Sequence, residues 1–189
     1  RLGEWKGENP LKNMRPFRTE EMEMAWLTHD QISQLLGECK RHDHPDLEPV
    51  VRICLATGAR WSEAESLRKS QLAKYKITYT NTKGRKNRTV PISKELYESL
   101  PENKKGRLFS DCYGAFRSAL ERTGIELPAG QLTQVLRHTF ASHFMMNGGN
   151  ILVLQRVLGH TDIKMTMRYA HFAPDHLEDA VKLNPLANN

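Results

Sequence analysis

The sequence predicts a mainly α-helical domain that carries one small three-stranded antiparallel β-sheet, an α+β arrangement. Three observations carry this reading. Apolar residues recur at helical spacing along most of the chain, glycines close several of those runs, and the period drops to two between Tyr75 and Ile92. The chain has 189 residues, 39% apolar and 26% charged, which fits one compact domain with arms and a core that needs no disulfide or metal. Lys plus Arg is 28 and Asp plus Glu is 22, a net charge of +6. The three cysteines, Cys39, Cys54 and Cys112, are far apart and include no CxxC, which suits a reducing compartment. There is no apolar run of ~18 residues, so no membrane span is expected. The chain starts at Arg1 with no basic-then-apolar leader, and reads as a fragment of a longer protein.

The elements follow in order. Residues 1–26 hold Gly3, Gly7, Pro10 and Pro16 without a sustained period and read as an arm or linker. Thr28 to Gln31 is a capping box, and Ile32, Leu35 and Leu36 continue it as one apolar stripe. A second helix runs from about Asp46 to Thr57 and stops at Gly58, a residue suited to a left-handed terminus. A third is expected from Trp61 to about Lys69. Tyr75, Ile77 and Tyr79 alternate with polar residues, and Thr89–Ile92 is a second extended run; the basic turn Asn81–Arg88 between them makes a β-hairpin. Arg107–Phe109 is the candidate third strand. Helices are then expected over Ser93–Leu100, Asp111–Arg122, Gln131–Met146, Asn150–Leu158, Asp162–Tyr169 and Pro174–Val181, followed by a polar tail.

Certain polar residues sit where packing alone would not put them. Arg60 lies at a helix–helix corner, free to act there or to pair with Glu63. The hairpin tip holds Lys83, Arg85, Lys86 and Arg88, a group able to reach a phosphate backbone or simply to keep an edge solvated. Arg137 and His138 fall within an otherwise apolar helix, where a buried charge needs a ligand or a carboxylate such as Glu63. His160 follows a helix-ending Leu-Gly, and Tyr169 follows nine residues later. The eight histidines show no zinc spacing, and no phosphate-cradling glycine loop or G-x-S-x-G elbow appears. Arginines, a lysine, a histidine and a tyrosine without a paired acid suggest phosphoryl transfer, with Arg clamping phosphate and Tyr as nucleophile.

Taken in order, Thr57-Gly-Ala-Arg60-Trp-Ser-Glu63, Thr82-Lys83 through Val90-Pro91, Val135-Leu-Arg137-His-Thr-Phe-Ala-Ser-His143, Leu158-Gly-His160 and Tyr169 resemble the catalytic domain of tyrosine site-specific recombinases, and among them temperate-phage integrases, over residues 28–172. The resemblance implies that fold, and roles for each position. Arg60 and Arg137 would hold the non-bridging oxygens of the scissile phosphate. Lys83 would protonate the leaving 5′ oxygen, His160 would hydrogen-bond the phosphate, and Tyr169 would form a 3′-phosphotyrosine. Glu63 would support the site, and Arg85, Lys86 and Arg88 would bind DNA. One position departs: the family's His-x-x-Arg reads Gln134-Val-Leu-Arg137. Gln donates a hydrogen bond but cannot shuttle a proton. His138, one helical step past Arg137, reads as a poor direct substitute.

The resemblance further implies site-specific DNA recombination, integration and excision of a phage genome, without metal, ATP or any other cofactor. The domains would be 1–26 an arm, 27–172 catalytic and 173–189 a tail contacting another protomer through Leu177, Ala180, Val181 and Leu183, with a core-binding domain preceding. Partners would be double-stranded attachment-site DNA, a dimer to tetramer of the same chain on it, and accessory bending and directionality proteins, in the cytoplasm of a bacterial host. Rival readings are a type IB topoisomerase, which relaxes DNA with the same nucleophile, and a DNA-binding regulator with a decayed site, to which Gln134 would be the clue.

Overall fold

The computed structural model describes residues 24–80, 87–102, 105–175 and 178–187. Helix α1 (His29–Arg41) begins where expected: the Thr28 hydroxyl accepts from Gln31 N at 3.3 Å, and Gln31 Oε1 accepts from Thr28 N at 2.9 Å. Helix α2 (Leu47–Thr57) is the central strut. It buries Leu47, Val50, Val51, Ile53, Cys54 and Thr57, and packs on α1, on α3 (Trp61–Glu65), on α4 (Lys94–Ser99) and on α6 (Gln134–Met146). A helix apolar around most of its surface belongs inside the core.

Gly58 ends α2 with φ +64°. A Cβ there would lie 2.5 Å from Phe140 Cδ1 and 2.7 Å from Leu158 Cδ2, so backbone, not side chain, forms this contact with α6 and α7 (Ile151–Leu158). Helix α3 is shorter than the sequence suggests. After Glu65 the chain turns to pair with residues 106–108: Leu108 N donates to Leu67 O at 2.8 Å and Lys69 N to Gly106 O at 2.9 Å. These long-range bonds take the backbone groups that a longer helix would have used.

The sheet is antiparallel, in the order β1 (Leu72–Ala73), β2 (Lys76–Tyr79), β3 (Arg88–Pro91). Its third strand is therefore Leu72–Ala73, not Arg107–Phe109, which contributes only the isolated bridge Arg68↔Arg107. Lys74 and Tyr75 form a tight turn, with Tyr75 at φ 60°, and this lets Leu72 pair with Ile77. The β2–β3 register sets Ile77 opposite Val90 and Tyr79 opposite Arg88. Ile77, Tyr79 and Val90 face the core.

Helix α5 (Tyr113–Thr123) ends at Gly124, and α7, capped by Asn150, ends at Gly159, both glycines left-handed. Helix α6 starts at Gln134, three residues later than expected. Helix α8 (Lys164–Met167) is one turn, followed by Tyr169 and a 3-10 turn at Ala170–Phe172; α9 (Asp179–Lys182) lies in the tail. A second apolar cluster of Ala141, Met145, Leu154, Leu158 and Tyr169 joins α6, α7 and the tyrosine segment. The predicted basic tip residues Lys83, Arg85 and Lys86, the N-terminal arm up to residue 23 and Leu177 lie outside the described residues.

Gly58→Ala tests this junction. The left-handed φ and the clash with Phe140 and Leu158 should cost about 2 kcal/mol or more, lowering Tm by several degrees in a thermal melt.

Candidate active site

The corner after Gly58 presents Arg60 as the cap residue of α3. Its backbone N–H donates to Glu63 Oε2 at 2.8 Å, while its guanidinium lies 3.5 Å from Glu63 Oε1 and is 37% exposed. Glu63 has a tighter partner. Arg88, at the start of β3, donates from Nη1 to Glu63 Oε1 at 2.9 Å and from Nη2 to Oε2 at 2.6 Å. Such a bidentate pair is the strongest geometry a guanidinium and a carboxylate can adopt. Arg88 Nε donates to Val157 O at 2.8 Å, and the guanidinium stacks 4.5 Å from the Tyr79 ring centroid. Its side chain is 9% exposed. The structure thus turns Arg88, a predicted DNA-binding residue, inward onto Glu63. Glu63 answers to Arg88 first and holds Arg60 only loosely. Burial opposes its charge, but the hydrogen bonds and charge of Arg88, with Arg60, hold its carboxyl down from the ordinary 4.5 to about 2.

Arg137, on the first turns of α6, is 7% exposed and meets no carboxylate in the hydrogen bonds it makes. Nη1 donates to Gly58 O and Nη2 to Leu158 O, each at 2.7 Å. These carbonyls close α2 and α7, where the helix dipoles are negative. Nη2 also meets His160 Nε2 at 3.0 Å, and His160 Nδ1 meets Thr166 Oγ1 at 2.9 Å. A guanidinium only donates, so Nε2 accepts and the imidazole proton sits on Nδ1, bonded to Thr166. Burial, then Arg137 and Arg60, push His160 down to about 4, which keeps it neutral at pH 7.

Tyr169 is 1% exposed, and its hydroxyl lies 2.7 Å from His138 Nδ1. Burial raises its phenol against the opposing pull of Arg137 and Arg168. Burial, then Arg168 and Arg137, push His138 down to about 4. Gln134, exposed, stands one turn earlier on the same helical face as His138. His138 is one residue from Arg137 but four from Gln134, and that second spacing is the sequence signal that puts it on the wall Gln134 occupies.

These side chains share a cavity of about 510 Å³. Its walls are Arg60, Trp61 and Ser62 from α3, then Thr133, Gln134, Arg137 and His138 from α6; His160, Met165, Arg168 and Tyr169 close it. Arg60, Gln134, Arg137, His160 and Tyr169, far apart in the chain, thus come together around one space. Glu63 stands behind the wall. Arg168, Thr166 and His138 were not singled out as site residues. Two guanidinia and a phenol on the walls of one cavity can hold a tetrahedral anion and present it with an oxygen nucleophile.

A helical body with a three-stranded sheet, holding arginines and a buried phenol around one cavity, is the fold of tyrosine recombinase catalytic domains. The chain belongs to the phage integrase family, whose sequence model matches residues 25–176. It is 96% identical to the integrase of Escherichia phage 186 over 188 residues, which is 100% of this chain and 56% of that protein. It is 65% identical to the integrase of Haemophilus phage HP1 over 187 residues, 99% of this chain and 55% of that one. The solved catalytic domain of bacteriophage HP1 integrase superposes with a TM-score of 0.85 at 67% identity, covering 88% of this chain and 98% of that domain. The chain therefore spans a little over half the length of these two phage integrases.

Acid should weaken the fold in two windows. His138 and His160 take a proton near 6.5 when unfolded but only near 4 when folded, so stability they support at pH 7 is lost as pH falls from 6.5 to 4. Glu63 binds its proton near 4.5 unfolded and near 2 folded, so its contribution is lost between those values. Glu63→Gln should cost roughly 3 kcal/mol at pH 7 by leaving Arg88 without its carboxylate, and should flatten the lower window in urea melts taken across pH.

Proposed function

We propose that the chain is the catalytic domain, residues 27–172, of an enzyme that cuts and rejoins DNA strands at specific sites, with Tyr169 as the nucleophile. The observation that carries this reading is the one cavity that Arg60, Arg137 and Tyr169 all line. A phosphodiester there would lie with its non-bridging oxygens on the arginines. Attack by Tyr169 Oη forms a 3′-phosphotyrosine, and the bond from phosphorus to the 5′ oxygen breaks. Negative charge grows on the equatorial oxygens, where prepositioned cations stabilise it.

His160 contributes in two ways. In the free protein it accepts from Arg137 and so fixes that guanidinium from one side. With phosphate bound, its negative charge offsets the arginines and favours a proton on His160 Nε2, whose N–H would then donate to the phosphate beside the Gln134 amide. Lys83 is assigned to the leaving 5′ oxygen on the strength of the family pattern; in sequence it falls between the residues of β2 and those of β3. The phosphotyrosine keeps the energy of the cut bond, so a second 5′-hydroxyl can reverse the reaction and join a new partner. Nothing in this chemistry calls for a nucleotide or a metal.

The partners follow from the reaction. Exchange between two duplexes requires up to four protomers on attachment-site DNA, with accessory bending and directionality proteins, inside the bacterial host. Arg85 and Lys86 would meet the DNA backbone near the cut. The arm 1–26 would join the domain that precedes it. The tail 173–189 exposes Val181 by 73% and Leu183 by 79%, which suits contact with a neighbouring protomer. Removing residues 174–189 should leave the Tm of the domain unchanged while weakening assembly on DNA, read by sedimentation with a bound duplex.

A nicked suicide duplex carrying the attachment site tests the activity. The wild-type chain should form a covalent adduct stable in denaturing gels, and Tyr169→Phe should form none. Arg60→Ala should slow adduct formation by about 10²–10³ with little change in DNA binding, since that contact acts on the transition state. An adduct from Tyr169→Phe would overturn the assignment.

A further inference from the structure

We propose that His138 takes the proton of Tyr169 as the phenol attacks phosphorus, a role that Gln134 cannot perform. The proposal rests on the reading of Tyr169 as nucleophile and adds the residue that activates it. Geometry is its basis. His138 Nδ1 lies 2.7 Å from the Tyr169 hydroxyl, a direct hydrogen bond between two buried side chains that both line the cavity. The phenol is the stronger acid of the two and donates, and the imidazole nitrogen accepts. A base has to be within this reach of the proton it removes.

The surroundings suit the task. Arg137 on α6 and Arg168 beside Tyr169 are the charged groups facing His138, and with burial they keep its ring neutral, so the lone pair on Nδ1 is free to accept at pH 7. A bound phosphodiester would place a negative charge against those same arginines. That charge offsets their repulsion and favours the imidazolium at the moment it forms. The phenol, raised by burial, does not ionise unaided near neutral pH, so the reaction needs an acceptor. Gln134 and His138 are four residues apart and stand on one face of α6, so the base lies one turn deeper along the same wall.

The step balances. The Oη–H bond breaks and its proton passes to His138 Nδ1. The Oη–P bond forms and the bond from phosphorus to the 5′ oxygen breaks; that oxygen receives a proton from Lys83. On rejoining, the 5′-hydroxyl attacks phosphorus and gives its proton to the Lys83 amine, the Oη–P bond breaks, and the imidazolium returns its proton to Oη.

The test is single-turnover adduct formation on the nicked duplex between pH 6 and 9.5. It compares the wild type, His138→Asn and Tyr169→Phe, with His138→Gln as a second variant should the first fold poorly. Asn Oδ1 can accept the phenol hydrogen bond but takes no proton, so it separates orientation from proton transfer. His138→Asn should bind the duplex as the wild type does and cleave about 10²–10³ more slowly at pH 7.5. That deficit should shrink steadily toward pH 9.5, as hydroxide supplies the base. A duplex with sulfur at the scissile 5′ position, whose leaving group needs no proton, should not restore the variant. Near-wild-type cleavage at pH 7.5, a deficit constant across pH, or restoration by sulfur would each overturn the role of His138. None of these outcomes touches the nucleophile, which fails only if Tyr169→Phe forms adduct.

Discussion

The site depends on one buried cation. Arg137 is almost enclosed, and an isolated guanidinium there would be costly. The protein neutralises it with geometry. The last carbonyls of α2 and α7 converge on Nη1 and Nη2, and each carries the negative end of a helix dipole. Three helices therefore meet at one side chain. Gly58 makes this possible, because its missing Cβ lets the α2 terminus press against Phe140 and Leu158 while its carbonyl faces the arginine. Carbonyls compensate the charge only in part. What is left is a cation held rigidly and still hungry for an anion, which is the property a phosphate-binding transition-state clamp requires.

The second constraint ties the sheet to this centre. Arg88 begins β3, immediately after the basic hairpin turn, and its guanidinium is locked to Glu63, to Val157 O and to the Tyr79 ring. Glu63 in turn receives the backbone N–H of Arg60. One carboxylate thus fixes both the corner that carries Arg60 and the first residue of β3. The Arg60 guanidinium stays partly exposed because its carboxylate is already taken.

Much of the architecture was legible because it is local. The Thr28–Gln31 box, the apolar face of α2 and the glycines at 58, 124 and 159 act within a few residues, and each ends or begins a helix as expected. The convergence of distant residues had another signal. An ordered set of arginines, a histidine and a tyrosine matched a family pattern, and Arg60, Arg137, His160 and Tyr169 line one cavity. The differences in the sheet and in α3 come from backbone pairing. The early end of α3 and the displaced third strand follow from bonds between residues 67–69 and 106–108 and from the Leu72–Ile77 register, none of which periodicity encodes. The inward turn of Arg88 needs a carboxylate 25 residues away, and the His138–Tyr169 bond spans 31.

The central claim is convergence on a single phosphorus. A crystal structure of the chain with a nicked duplex and orthovanadate tests it directly, since vanadate adopts the five-coordinate shape of the transition state. Vanadium should bond to Tyr169 Oη, with its equatorial oxygens within hydrogen-bond distance of both Arg60 and Arg137 and the 5′ oxygen opposite the phenol. Vanadate bound elsewhere, or held at Tyr169 with either guanidinium turned away, would contradict it.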